Sequence, residues 1–312
     1  MVRASIGRDA GAFQTGGTAV AASYPMYGMK VRDLLAMEEW LPHQDLLAAG
    51  KLHVISEDEM NRNRVIFLSH QWCSFLHPDP KADQLKALQV VIKRLMDGEI
   101  TVRSDPKLEM SYNFKRVDGK AEWNEFFEEG YIWHDYSCIP QPLAHKAKIE
   151  GAGRDAPHAG MVGADHRTGD CGEDAVMTKL VEQLKAAVES IPSYVERAEF
   201  VWVLVPPVEH QDVPDAVCDL NSWRGRGWCR MEYCASNLTT HDLPVMIIEN
   251  AVDAPKYFSP CDAMKTPATG GSFSFDEDRG KVLEVLQTMV TAKAKHYHTM
   301  GDVHLSRRKV DL

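Results

Sequence analysis

The sequence lacks long apolar runs, basic runs and paired spacing among its cysteines. No stretch approaches the roughly 18 apolar residues of a membrane-spanning helix, and residues 1–17 show no secretory signal pattern. Lys and Arg number 35 against 45 Asp and Glu, which argues against a nucleic-acid or anionic-membrane surface. Seven cysteines without disulfide or zinc-site spacing predict reduced thiols and no metal site. We therefore expect a soluble cytoplasmic protein with a small-molecule or protein partner.

Four apolar runs alternate with amphipathic segments after residue 60. Each run is continuously apolar, which is typical of strands buried on both faces of a parallel sheet. The predicted strands lie within 64–72, 131–140, 199–207 and 244–250, and helices are predicted at 81–98, at 175–191, around Glu232 and at 278–298. Because crossovers between parallel strands are right-handed, the pattern predicts an α/β fold with a doubly wound parallel sheet and helices on both faces.

The remaining segments predict additions to this domain, which we place at 61–312. Residues 1–60 read as a loose tail followed by a helical extension at 29–52, packed outside the main core. Long loop insertions are predicted at 99–130 and 141–175. The Gly-, His- and Asp-rich part of the second insertion, 151–174, lacks core residues, so we expect a mobile loop, a lid or disorder there.

Polar and aromatic side chains follow the ends of three predicted strands. Ligands of open parallel sheets bind beyond the carboxyl ends of the strands, so these side chains should line one crevice. The candidate crevice residues are Ser69, His70, Trp72, Asp135, Tyr136, Arg224, Trp228 and Glu232.

Glu232 has two interpretations. It is expected early in its helix and one turn beyond Trp228, where the helix dipole favours an anion and the spacing could turn it into the crevice. The alternative is an ion pair with Arg226 or Arg230 on a solvated helix face.

The other candidates also have structural interpretations. Asp135 could orient a sugar hydroxyl or a catalytic water, or only cap the turn at Tyr136. His70 is favoured as a hydrogen-bonded structural residue rather than an acid or base. Trp72 and Trp223 could stack on a base or simply pack, and Arg224 and Arg226 could pair with phosphates.

The segments VIFLSHQW, YIWHDYSCIPQ and RGRGWCRMEY, in this order, resemble the Toll-receptor (TIR) domain and the fungal heterokaryon-incompatibility (HET) domain. FLSHQW is similar to the first strand of TIR domains, and WHDYSCIPQ to a HET block. RGWCRMEY resembles the Trp-Cys-x-x-Glu motif of TIR domains and the Arg-Gly-Trp-x-x-x-Glu motif of HET domains. The resemblance covers about residues 64–250 and implies a flavodoxin-like sheet.

The resemblance also implies a function. In catalytically active TIR domains, the Glu of the Trp-Cys-x-x-Glu motif is needed to cleave NAD at its nicotinamide–ribose bond, and the matching residue is Glu232. A carboxylate is suited to this chemistry because the transition state has oxocarbenium character. We therefore expect a signalling or defence domain that acts on NAD or a related nucleotide and requires no cofactor. The alternative is a non-enzymatic module of the same fold that self-associates as a homo-oligomer.

Overall fold

The computed structural model describes residues 22–55, 64–104, 106, 109–110, 115–154, 170–241, 243–258 and 267–310. The predicted tail at 1–20 and most of the Gly-rich segment at 151–174 lie outside these ranges. No helix within them combines the length and the apolar character that a membrane crossing needs.

Eleven strands are found in the described ranges, seven of them in one mixed sheet. They are β1 (Tyr27–Lys30), β2 (Leu52–Val54), β3 (Val65–His70), β4 (Val102–Arg103), β5 (Val117–Asp118), β6 (Tyr131–His134), β7 (Phe200–Leu204), β8 (Val208–Glu209), β9 (Val217–Cys218), β10 (Val245–Ile248) and β11 (Lys256–Tyr257). The sheet order is β11-β10-β7-β3-β6-β1-β2. Strands β10, β7, β3 and β6 are parallel, whereas β11, β1 and β2 pair antiparallel.

The predicted parallel core is therefore confirmed, but an entirely parallel sheet is wrong. The four parallel strands coincide with the four predicted apolar runs, and every residue of β3, β7 and β10 is buried. The antiparallel strands β1, β2 and β11 are only two to four residues long. Such short strands at the sheet margins carry too little apolar periodicity to be recognised in a sequence.

The described helices are α1 (Val31–Leu34), α2 (His43–Ala48), α3 (Asp83–Asp97), α4 (Lys120–Glu129), α5 (Asp135–Cys138), α6 (Pro142–Arg154), α7 (Asp170–Glu189), α8 (Ile191–Glu196), α9 (Leu220–Gly225), α10 (Gly227–Ser236) and α11 (Asp278–Val310). Helix α3 confirms the predicted amphipathic helix, and it ends at Gly98 with a φ of 75°, a left-handed conformation that favours glycine at a helix end.

The N-terminal segment differs from its prediction. Instead of one helix at 29–52 packed outside the core, β1 and β2 extend the main sheet, and β1 pairs with β6. Leu34, Trp40 and Leu46 are buried in the same core as β3. Helical spacing was present in the sequence, but pairing with β6 and burial of the apolar side chains determined the structure.

The described parts of the predicted loop insertions contain regular structure. Between 99 and 130 lie the β4–β5 hairpin and α4, whose side chains Trp123, Phe126 and Phe127 are buried. The second insertion contains α6 and the beginning of α7. The three aromatic residues of α4 contact one another and the sheet residues Phe200 and Trp202, so this part of the chain belongs to the core.

Candidate functional site

A cavity of about 590 Å³ opens beside the carboxyl ends of β3 and β6. Its lining includes His70 from β3, Asp135 at the start of α5, and Trp228 and Glu232 from α10. Trp72, in the connection after β3, is a further lining residue. The volume lies within the ordinary range of small-molecule sites, and the position is the one expected for ligands of parallel sheets.

Glu232 is held against the end of β3. The Ser69 hydroxyl donates to its Oε2 at 2.5 Å, and the buried Trp223 indole donates to Ser69 Oγ at 3.1 Å. The Cys229 thiol donates to the His70 carbonyl at 3.5 Å, which fixes the preceding turn of α10 to the same strand. Glu232 lies in the middle of α10 rather than early in it, so the helix dipole contributes little.

The predicted alternative for Glu232, an ion pair on a solvated helix face, is wrong. Arg226 donates to Ser274 Oγ, and Arg230 donates to the carbonyls of Arg224 and Pro267. Among the hydrogen bonds of the described residues, the carboxyl of Glu232 pairs with Ser69. Burial and, to a smaller extent, the Asp135 charge outweigh the lowering effects of the Ser69 hydrogen bond and the His70 charge, and together they raise the pKa of Glu232 to about 8. The carboxyl is therefore mostly protonated at neutral pH.

Asp135 has a different environment. Its Oδ1 accepts from His70 Nε2 at 2.9 Å and from the Tyr136 amide at 2.6 Å, while Oδ2 accepts from Trp72 Nε1 at 2.8 Å. Burial opposes ionisation, but the His70 charge and the donated hydrogen bonds hold the pKa of Asp135 well below its ordinary value. The carboxylate is thus charged and oriented by three donors, one of which is the turn contact predicted at Tyr136.

His70 has an acceptor at each ring nitrogen. Gln84 Nε2 donates to the Gln71 carbonyl at 2.8 Å, which directs Gln84 Oε1 toward His70 Nδ1 at 3.1 Å. The other nitrogen faces Asp135. Burial disfavours the imidazolium, yet the Asp135 carboxylate outweighs this effect and raises the pKa of His70. These contacts agree with the prediction that His70 is a hydrogen-bonded structural residue, although its side chain also lines the cavity.

His134 lies beneath this pair and is fully buried. Its ring is stacked on Trp40 at 3.8 Å between centroids and lies 4.4 Å from the His70 ring. Burial and the His70 charge lower the pKa of His134 well below its ordinary value, so the ring is neutral. Single ligand atoms of His70, His134 and Asp135 lie within 4.8 Å of one another.

The RGRG segment before α10 is fixed by packing. Gly227 donates its amide to the Ser272 carbonyl, and Ser272 donates to that of Gly225. A Cβ on Gly227 would lie 1.9 Å from the Phe273 ring, whereas one on Gly225 would meet no described residue within 4 Å. The close approach of Phe273 therefore requires glycine at 227, and this contact sets the start of the helix that carries Glu232.

The structure brings most of the predicted site residues together. Ser69 supports Glu232 from behind, and Tyr136 packs edge-on against Trp72 with centroids 5.6 Å apart. Arg224 is not at the cavity, because its guanidinium lies over the Phe258 ring at 5.2 Å. Its neighbour Arg226 lines the cavity instead.

Sequence reasoning missed several lining residues, including Phe75, Gln141, His210, Phe275 and Asp278. Asp278 accepts from Trp228 Nε1 at 3.1 Å, so the first turn of α11 orients that indole. Phe75 and Phe275 are 67% and 68% exposed, which leaves two aromatic faces open to a ligand. Phe75, His210, Phe275 and Asp278 come from loops and a distant helix start outside the quoted segments, whereas Gln141 ends the HET-like segment YIWHDYSCIPQ.

No family model matches the chain, and no curated protein or solved structure is significantly similar to it. The geometry of the cavity is therefore the main physical support for a function.

Proposed function

We propose that the chain is a TIR/HET-like domain that cleaves NAD at the nicotinamide–ribose bond, with Glu232 as the catalytic carboxylate. The observation that carries the proposal is the position of Glu232. A carboxyl bound to Ser69 lies in a cavity of dinucleotide-compatible size at the ends of parallel strands.

The sheet supports the fold implied by this family resemblance. In chain order, the second parallel strand, β6, lies on one side of β3, and β7 and β10 follow on the other side. This arrangement agrees with the first four strands of the flavodoxin-like order 2-1-3-4-5, in which ligands bind near the point where the order reverses. Ser69 and His70 end the strand at that point. Strand β11 occupies the fifth position but is antiparallel.

The cavity contains groups suited to each part of the substrate. Trp72, Trp228 and the exposed Phe75 provide aromatic surfaces for a base or the nicotinamide ring. Arg226 is a cation at the same wall, suited to the pyrophosphate. The ionised Asp135 is an acceptor suited to a ribose hydroxyl.

The bond between ribose C1′ and the nicotinamide nitrogen breaks, and its electron pair moves to that nitrogen and neutralises the pyridinium charge. The ribose then has oxocarbenium character, which a nearby carboxylate stabilises. Water adds to C1′ and loses a proton, for which ionised Glu232 is the acceptor. A carboxyl with a pKa of about 8 is well matched to such proton transfer near neutral pH.

The test is a time course of nicotinamide release from NAD at high protein concentration, which allows for self-association. Wild type should release nicotinamide, and Glu232→Gln should lose at least about a hundredfold in rate. Glu284→Gln, an exposed position on α11, is the matched control and should keep the wild-type rate. Release at equal rates by wild type and Glu232→Gln would contradict the proposal.

A non-enzymatic self-associating module is the second candidate. The neighbouring side chains Phe75 and Leu76 are 67% and 65% exposed, and paired exposed apolar groups favour a protein contact. This candidate predicts no nicotinamide release from wild type, together with concentration-dependent assembly that Phe75→Ser and Leu76→Ser weaken. Sedimentation velocity with and without NAD measures that assembly.

A further inference from the structure

A buried polar atom lies behind the part of the cavity wall that His70 and Asp135 form. Among the described residues, His134 Nε2 has no hydrogen-bond partner, and the side chain of His134 is fully inaccessible. Buried polar atoms are almost always satisfied, so an orphaned imidazole nitrogen requires an explanation.

The hydrogen bonds of His134 define which nitrogen carries the proton. The Ser137 hydroxyl donates to the Leu41 carbonyl at 3.0 Å, so its oxygen can accept from His134 Nδ1, 3.3 Å away. The proton of the neutral ring therefore lies on Nδ1, and the orphaned Nε2 carries a lone pair. His134 Nε2 lies 3.8 Å from Asp135 Oδ1.

His70 is arranged in the same way. Its Nδ1 faces Gln84 Oε1, and its Nε2 approaches Asp135 Oδ1 at 2.9 Å. Each histidine thus directs Nδ1 to a fixed oxygen acceptor and Nε2 to a common point beside Asp135. Histidines that bind metals usually donate their other ring nitrogen to such an acceptor, which fixes the tautomer and the ring plane.

Asp135 completes the set with Oδ1, which lies 2.9 Å from His70 Nε2 and 3.8 Å from His134 Nε2, whereas Oδ2 accepts from Trp72 Nε1. Oδ1 also accepts from the Tyr136 amide at 2.6 Å, and its second lone pair is open to an ion once the proton shared with His70 is released. The backbone changes from extended at His134, with φ −138° and ψ 130°, to helical at Asp135. This change lets two consecutive residues direct ligand atoms to the same point.

We propose that His70 Nε2, His134 Nε2 and Asp135 Oδ1 bind a divalent transition metal ion of the Zn²⁺, Co²⁺ or Fe²⁺ class. Two imidazole nitrogens and one carboxylate oxygen are a donor set that such ions prefer. Ligand atoms of a tetrahedral zinc site are about 3.3 Å apart, and the three atoms here already lie within 4.8 Å of one another. The ion replaces the proton between His70 and Asp135, which is released to solvent.

The cavity supplies the open coordination position. His70 and Asp135 line it, whereas His134 is clamped behind them by Trp40. Three protein ligands with a free position toward a pocket are the arrangement of catalytic rather than structural zinc sites. The inference is independent of NAD cleavage, because it depends only on these ligands and their hydrogen bonds.

The test is a titration of the whole protein with Co²⁺, after EDTA treatment and desalting and without any nucleotide. We expect one Co²⁺ per chain, with visible ligand-field bands of nitrogen and oxygen coordination, displaceable by Zn²⁺. A thiolate-to-cobalt charge-transfer band would instead indicate cysteine ligands and would overturn the assignment. No ligand-field bands at roughly 1 mM Co²⁺ would also overturn it.

Two conservative variants identify the ligands. His134→Asn keeps a short amide near the Ser137 contact but removes the distal nitrogen, and Asp135→Asn keeps the shape of the carboxylate. Each should raise the Kd for Co²⁺ by at least about tenfold. His298→Asn, at an exposed position on α11, is the control and should bind as wild type does. Wild-type affinity in both folded variants would contradict the site, and the wild-type spectrum decides alone if neither variant folds.

Discussion

Asp135 and Glu232, two of the three carboxyl groups among the described residues that line the cavity, differ in charge. Asp135 accepts hydrogen bonds from His70, Trp72 and the Tyr136 amide, and its pKa lies well below the ordinary value. Glu232 accepts one, from Ser69, and its pKa is raised to about 8. Burial alone would raise the pKa of both groups, so the number and charge of the donors decide which acid ionises.

This difference assigns separate roles in the proposed reaction. A permanently charged carboxylate can hold a hydroxyl group, whereas a carboxyl that titrates near neutral pH can exchange a proton with water. Pairs of acids whose environments move their pKa values apart are a common basis for such a division.

Of the substitutions considered, replacing the charged acid Asp135 should reduce the stability of the protein most. Asp135→Ala leaves His70 buried without its carboxylate, and we expect a loss of about 3 kcal/mol in the free energy of unfolding. Urea denaturation measures it. Asp276→Ala, whose side chain is 88% exposed in its ion pair with Arg279, is the control and should change stability by less than about 1 kcal/mol. Equal effects of the two substitutions would show that Asp135 is not the anchor of His70.

Gly227→Ala should disturb α10, the helix that carries Glu232, without changing the contacts of Asp135. The new Cβ would overlap the Phe273 ring, and such overpacking costs about 2 kcal/mol. It should also shift α10 and reduce nicotinamide release. Gly225→Ala adds the same atom at a position where no described residue lies within 4 Å. The difference in Tm between the two variants therefore measures the contact with Phe273. Similar Tm values for both variants would contradict this packing account.

Glu232→Gln should stabilise the protein at alkaline pH. In the unfolded chain Glu232 ionises near its ordinary value of 4.5, but in the folded protein its pKa is about 8. Between these values the unfolded state binds fewer protons, so stability falls as pH rises through this window. The side-chain amide of the Glu232→Gln variant does not ionise, so the variant avoids this loss of stability. We expect its free energy of unfolding to exceed that of wild type by about 2 kcal/mol at pH 9 and to differ little at pH 5. Denaturation in EDTA at both pH values provides the measurement, and equal gains at both would contradict the raised pKa.

The smallest predicted effect is a change in the KM for NAD, and it should differ between substitutions of the neighbouring residues Arg226 and Arg224. Arg226→Ala removes the cation from the cavity wall and should raise the KM for NAD about fivefold. Arg224→Ala should leave KM unchanged, because that guanidinium packs over Phe258. Steady-state kinetics of both variants make the comparison. The reverse order would place Arg224, as the sequence predicted, at the substrate.

The sequence predicted the central strands because β3, β7 and β10 are uninterrupted apolar runs, and it predicted the end of α3 because Gly98 is suited to a left-handed helix end. It did not predict β1, whose four residues join the sheet only through tertiary pairing with β2 and β6. Local pattern contains no information about such pairing.

Within the site, the sequence identified Ser69, Asp135 and Glu232 from strand ends and motif resemblance. It did not distinguish Arg226 from Arg224, because both lie in one glycine-rich segment, and the direction of each side chain depends on contacts with Ser274 and Phe258. Sequence spacing also did not indicate that His134 lies next to His70. His70 and His134 come from adjacent strands that are 64 residues apart in the chain, so their approach is a property of the folded sheet.

The most direct test of the central claim is the pH dependence of nicotinamide release from NAD in EDTA, measured for wild type and Glu232→Gln. We predict that the wild-type kcat/KM rises through a limb near pH 8, where Glu232 ionises, and that the variant lacks both the limb and the activity. A wild-type profile that is flat from about pH 6 to pH 9, or a variant as active as wild type, would contradict the assignment of Glu232 as the catalytic carboxylate.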